Sequence, residues 1–145
     1  MCDKNITILI VDDTKHFREF LKVILQKFLG ITDNIKIYEA ENGKEALDKV
    51  FEFNPDIIIT DLMMPVMNGI EFLNILKKTD VNYQNRLILI CSAIDFDITI
   101  LNSLKKMKIN IDDNYINKMY DIYNFKNKLR KNLIKLMESK QNENE

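Results

Sequence analysis

The sequence predicts an α/β fold in which a five-stranded parallel sheet carries helices on both faces, a doubly wound arrangement. Two runs point to buried parallel strands. Ile6-Thr7-Ile8-Leu9-Ile10-Val11 and Ile57-Ile58-Ile59-Thr60 are short, rich in β-branched residues and continuous rather than alternating. Between such runs, apolar residues recur at helical spacing along the whole chain. Acids then close the strands: Asp12 and Asp13 follow the first run, and Asp61 follows the second. In open α/β sheets, ligands sit outside the carboxyl ends of the strands, where strand order reverses. Turn and N-cap positions also favour aspartate. That accounts for Asp13 before a helix, but not for three acids at two strand ends.

The elements follow in order. Phe17, Phe20, Leu21, Ile24, Leu25 and Phe28 mark the first helix, with Gly30 as its stop. Residues 35–38 form the second strand, and Glu41-Asn42-Gly43 a turn. The second helix runs through Ala46, Leu47, Val50 and Phe51 and stops before Pro55. After Asp61, a loop from Leu62 to Asn68 carries Pro65, and Gly69 opens a helix through Phe72, Leu73 and Leu76. Leu87 to Cys91 is the fourth strand. A helix follows from about Asp95 to Lys106, then a short fifth strand at Asn114 to Asn117. The last helix repeats Ile122, Phe125, Leu129, Leu133 and Leu136. Five βα units predict the flavodoxin-like strand order 2-1-3-4-5. One domain over residues 1–140, a polar tail over 141–145 and no output domain are expected.

Composition bounds the function. Of 145 residues, 46% are hydrophobic, enough to fill one core. No apolar run approaches the ~20 residues of a membrane helix. Residues 1–5 lead into a strand without the apolar stretch of a signal peptide, so a cytoplasmic protein is expected. A net charge of -1 argues against a general electrostatic grip on nucleic acid. Cys2 and Cys91 make no disulfide framework; Cys91 reads as a core residue and Cys2 as exposed.

Ser92 follows the fourth strand and Lys118 the fifth, so both join Asp12, Asp13 and Asp61 on one rim. Close carboxylates repel, which raises at least one pKa unless a cation intervenes. Such a set suits a hard divalent cation, and an aspartate can act as an oxygen nucleophile. Lys118 and the Ser92 hydroxyl would then hold phosphoryl oxygens. Plainer readings stand beside these: Asp61 as a turn residue, Ser92 as a helix N-cap, Lys118 as solvated surface. His16, the single histidine, reads as exposed. Lys126, Lys128, Arg130 and Lys131 read as a solvated face or a patch for an acidic partner. Met63, Met64 and Met67 read as loop packing.

Four segments carry a resemblance: Ile10-Val11-Asp12-Asp13, Ile59-Thr60-Asp61-Leu62-Met63-Met64-Pro65-Val66-Met67-Asn68-Gly69, Cys91-Ser92-Ala93 and Asn114-Tyr115-Ile116-Asn117-Lys118. Together they resemble the receiver domain of two-component response regulators, over residues ~5 to ~138. The resemblance implies that Asp61 is the phospho-acceptor. It implies that Asp12, Asp13 and Asp61 hold Mg²⁺, with the Met63 backbone carbonyl as a further ligand. It implies that Ser92 and Lys118 contact the phosphoryl group. Tyr115 matches the aromatic that changes rotamer when the serine hydroxyl is drawn to phosphate. A histidine kinase or histidine phosphotransfer protein is the implied donor, and a downstream protein the target, with no nucleic acid and no membrane. Met63 and Ile94 stand where the family places side chains that help align water, and neither can do so. Slow self-dephosphorylation is therefore expected.

Two departures from the family pattern stand out. Met119 follows Lys118 where the family has proline in a cis bond, so the loop is either trans and rearranged or strained. The stretch from Ser92 to Lys118 is about four residues longer than expected, with the excess placed at Lys105 to Asp113, and it lacks the usual Gly-Ala. The alternative function is a receiver-like interaction module that acts without phosphorylation. An aspartyl-nucleophile phosphatase is disfavoured, since Met63 stands where its second acid belongs.

Overall fold

The computed structural model describes residues 5–29, 34–93, 96–118 and 122–142. Cys2, Gly30, Ile94, Asp95, Met119 and residues 143–145, each given a role above, lie outside them. Five strands alternate with helices: β1 (Ile6–Val11), α1 (Lys15–Leu29), β2 (Ile35–Ala40), α2 (Gly43–Phe53), β3 (Ile57–Thr60), α3 (Gly69–Thr79), β4 (Leu87–Ser92), α4 (Ile98–Lys106), α5 (Ile111–Asn114), β5 (Tyr115–Asn117) and α6 (Ile122–Asn142). All strand pairs are parallel, in the order β2-β1-β3-β4-β5 that the sequence predicts.

The register places the strand ends. Val11 pairs with Ala40 on one side and Thr60 on the other. The residues after Val11 and Thr60 therefore emerge side by side, from the central strand and its neighbour. On β5, Asn117 pairs with Ser92, so Lys118 leaves the sheet beside the end of β4.

Alternate residues of each strand feed two separate cores. Leu9, Val11, Ile58, Ile88 and Ile90 pack with Val50, Phe72, Leu73, Leu76 and Leu104 on the α2–α3–α4 face. Ile8, Ile10, Ile57, Ile59 and Leu89 pack with Leu21, Leu25, Phe125, Leu129 and Leu133 on the α1–α6 face. Burial on both faces is why the runs are continuous rather than alternating. Removing a buried side chain the size of Phe72 costs about 3–5 kcal/mol, so these cores hold the strand ends firmly.

Three expectations are corrected. The fifth strand starts at Tyr115, because residues 111–114 close a helical turn instead, α5, with the Asn110 side chain accepting from the Asp112 N–H. Asn114 is not in the ladder; its side-chain amide donates to the Ile88 carbonyl at 2.9 Å and holds the turn against β4. Second, α4 begins at Ile98 and its cap is Asp97, which accepts from the Ile100 N–H at 2.9 Å. Ser92 is therefore not an N-cap. Third, Phe20 and Phe51 follow the helical period but face outward, 40% and 59% exposed.

Candidate functional site

Backbone bonds place the two central acids. The Asp12 N–H donates to Ala40 O at 3.0 Å and the Asp61 N–H to Val11 O at 2.9 Å, each extending a ladder one residue past its strand. Asp12 is buried, and its Oδ1 accepts from the Thr14 N–H at 2.9 Å. Thr14, rather than Asp13, directly precedes α1; its carbonyl accepts from the N–H groups of Phe17 and Arg18. Asp13 is exposed. Oδ1 of Asp61 accepts from the N–H groups of Leu62 at 2.7 Å and Met63 at 3.2 Å. One oxygen from each of Asp12, Asp13 and Asp61 lies within 4.8 Å of the others.

Gly69 sets the shape of the loop that follows Asp61. Its N–H donates to Leu62 O at 2.9 Å. A Cβ on Gly69 would stand 2.2 Å from the Asp61 carbonyl oxygen, so no side chain fits there. The eight-residue step from Asp61 to Gly69 is thus a packing requirement: α3 begins directly under Asp61. Asn68 and Glu71 close a capping box at that helix start. Met63 is 60% exposed, while Met64 and Met67 pack against the core as predicted.

Lys118 reaches across the rim. Its Nζ donates to Asp61 Oδ2 at 2.8 Å and to Asp12 Oδ2. Burial raises the Asp12 pKa above the ordinary carboxylate value, against the opposing pull of Lys118 and the Thr14 N–H. Repulsion from Asp61 adds only a minor share, so burial rather than mutual repulsion is the main cause. Burial also pulls Lys118 down, but its hydrogen bonds to Asp12 and Asp61 outweigh this and leave it above the ordinary lysine value. Lys118 is therefore no solvated surface residue.

Ser92 is fully buried, and its Oγ has no hydrogen-bond partner among the described residues. An unpaired buried hydroxyl costs roughly 1–3 kcal/mol, so its retention calls for a use. Its carbonyl accepts from the Lys118 N–H and from the Tyr115 hydroxyl, both at 3.1 Å. The Tyr115 ring meets Phe96 edge-on, with centroids 4.3 Å apart. Burial pushes the neighbouring Cys91 thiol up to about 12, which keeps it protonated and inert.

Sequence reasoning missed a support beneath the site. Arg18 is buried; its Nη1 donates to the Asp12 carbonyl at 2.7 Å and its Nε to Glu39 at 3.1 Å. Lys22 reaches the same carboxylate at 2.9 Å. The signal was present, since Arg18 lies on the apolar stripe of Leu21 and Leu25. The basic cluster of the last helix is likewise more than a solvated face. Lys128 donates to the Tyr115 carbonyl at 2.7 Å, and Lys131 pairs with Asp113 at 3.1 Å. His16 is exposed, as expected, with Glu19 3.9 Å away.

A model of the response regulator receiver domain matches residues 8–130. The chain belongs to the response regulator receiver family. The receiver is 33% identical over 113 residues to chemotaxis protein CheY of Halobacterium salinarum, covering 78% of this chain and 84% of that protein. It is 47% identical over 74 residues to a protein-glutamate methylesterase/protein-glutamine glutaminase of Desulfotalea psychrophila; this is 51% of the chain and only 20% of that protein's length. Among solved structures, the Francisella response regulator 1452 receiver domain superposes with a TM-score of 0.68 at 30% identity, covering 93% of this chain and 99% of that one. Receivers are switches of two-component signalling, generally without enzymatic activity. No described helix of this one is long and apolar enough to cross a membrane.

Proposed function

We propose that this receiver is a phosphorylation switch, with Asp61 as its acceptor. The supporting observation is the convergence of three carboxylates, the Lys118 ammonium and the unpartnered Ser92 hydroxyl on one rim. Asp61 Oδ1 is held by two backbone N–H groups, while Oδ2 accepts from the Lys118 ammonium alone among the described residues. Oδ2 is accordingly assigned as the nucleophile. A bond forms between Oδ2 and phosphorus as the P–N bond of a phosphohistidine donor breaks. The electron pair leaves on the imidazole, which departs neutral with a proton on its other nitrogen. Lys118 and the Ser92 Oγ then take phosphoryl oxygens.

The donor set fits a hard divalent cation such as Mg²⁺: three carboxylates of close spacing, oxygen ligands only. Asp12, Asp13 and Asp61 would hold it, with the Met63 carbonyl. When bound, such a cation neutralises the acids and the incoming phosphoryl oxygens. Asp13 is exposed and makes the set asymmetric, open toward solvent and the donor.

Drawing Ser92 Oγ to phosphate changes the surroundings of Tyr115, whose hydroxyl already rests on the Ser92 carbonyl. That is the route from chemistry to a protein-binding surface. The donor is a histidine kinase or phosphotransfer protein, and the readout is a protein contact, with chemotaxis-type signalling the class its relatives' names suggest. The test is labelling with acetyl phosphate and Mg²⁺. Wild type should gain one phosphoryl group, Asp61→Asn none, and Asp13→Ala little. Cation-dependent stabilisation should also fade in Asp13→Ala. Equal labelling of Asp61→Asn would sink the assignment.

A further inference from the structure

We infer that Phe17 is a positioning residue for Lys118: its ring face seats the ammonium that spans Asp12 and Asp61. The inference rests on the phosphoacceptor reading and adds a residue to it. Lys118 Nζ lies 4.3 Å from the centroid of the Phe17 ring, inside the ~6 Å reach of cation–π attraction. The lysine side chain is only 14% exposed, so little water competes with the ring. An aliphatic residue at this position would desolvate the ammonium and return nothing. A ring desolvates it and returns the attraction of its negative face.

The placement is built in. The Phe17 N–H donates to Thr14 O at 3.1 Å, in the first turn of α1. The next residue, Arg18, bonds the Asp12 carbonyl, so ring and acid loop are tied to one turn. The ring itself rests on the α1–α6 core and on Phe20, with centroids 5.9 Å apart.

What the ring offers differs in kind from what the acids offer. Asp61 gives up its negative charge when it becomes an acyl phosphate. The ring changes neither charge nor protonation at any stage. It keeps the ammonium over the site while the carboxylate releases it, so Lys118 follows the phosphoryl oxygens. Lys118 stands just past the three-residue β5, its N–H on Ser92 O, which fixes where the side chain starts but not where its ammonium comes to rest.

The test replaces Phe17 by mono-, di- and pentafluorophenylalanine, which keep the ring's shape while its negative face fades. Two readouts are taken: the mobility of Lys118 Nζ by nitrogen-15 NMR in metal-free protein, and the rate of self-labelling by acetyl phosphate. Mobility should rise stepwise with fluorination, and labelling should slow by ~3- to 10-fold at pentafluoro. Phe17→Tyr should behave as wild type and Phe17→Leu as the pentafluoro protein. Unchanged mobility and rate across the series would overturn the inference and leave Phe17 a packing residue. If ammonium mobility rises with fluorination but wild type takes no label, the seat stands and the phosphoacceptor reading fails.

Discussion

The two sides of the acidic rim are built by different means. At the ends of β1 and β3, the backbone does the placing: Asp12 and Asp61 extend their ladders by one bond each, and Gly69 admits α3 directly beneath Asp61. At the ends of β4 and β5 the ladder also runs one bond further, from the Lys118 N–H to Ser92 O, but β5 is only three residues long and side chains add much of its hold: Asn114 on Ile88 O, Lys128 on Tyr115 O, and Asn132 on Asp113 O at 3.0 Å. A backbone-defined half has one geometry. A short strand that leans on a few side-chain bonds can reach a second arrangement at modest cost, because each such bond contributes only about 1 kcal/mol net. Asp61 stands on the first half, and Ser92, Tyr115 and Lys118 on the second, an arrangement that suits the proposed switch.

The sharpest way to break this contrast is at Gly69. Gly69→Ala must push a methyl into the Asp61 carbonyl, and should destabilise the fold by about 3 kcal/mol. Urea unfolding measures it; a loss below the error of the midpoint would mean the loop is not held by this contact. On the other side, Asn132→Leu strips two carbonyls, Asp113 O and Lys128 O, of one donor. The expected cost is about 1–3 kcal/mol, with faster amide exchange at residues 115–117 and none at 57–60. Uniform acceleration in both strands would show that the halves are not independent.

A smaller effect sits beneath Asp12. Burial pushes the Glu39 carboxyl up, but the hydrogen bonds from Lys22 and Arg18 outweigh it and hold the pKa below the ordinary 4.5. A lowered folded pKa contributes stability above 4.5 that is lost as pH falls through the lowered value. Glu39→Gln should therefore lose about 1 kcal/mol at neutral pH, and the gap to wild type should close in acid. A gap that ignores pH would assign the loss to packing. The smallest effect is a gain. Val66 is held at φ 68° in the loop after Asp61, a left-handed conformation that is costly for a β-branched residue. Val66→Asn should stabilise by about 1 kcal/mol without altering labelling. A destabilised variant would show that the Val66 side chain matters more than its backbone.

The sequence by itself determined the class, the strand order and the acids of the rim. The reason is local: continuous β-branched runs, helical spacing and the position of Asp12, Asp13 and Asp61 just after strands are all readable one segment at a time. The Arg18 bond to Glu39 and the Phe17 ring over Lys118 were decided by tertiary structure, since both pair residues distant in the chain. The same holds for α5. Ile111-Asp112-Asp113-Asn114 is too short to show a period, and only the Asn110 cap and the two acids after it hint at a helical turn rather than a strand. The turn forms because Asn114 finds the Ile88 carbonyl and α6 supplies Lys131 to Asp113. The main cause of the Asp12 shift was also beyond the sequence: adjacency of acids can be read from their order, but depth of burial depends on what packs around them.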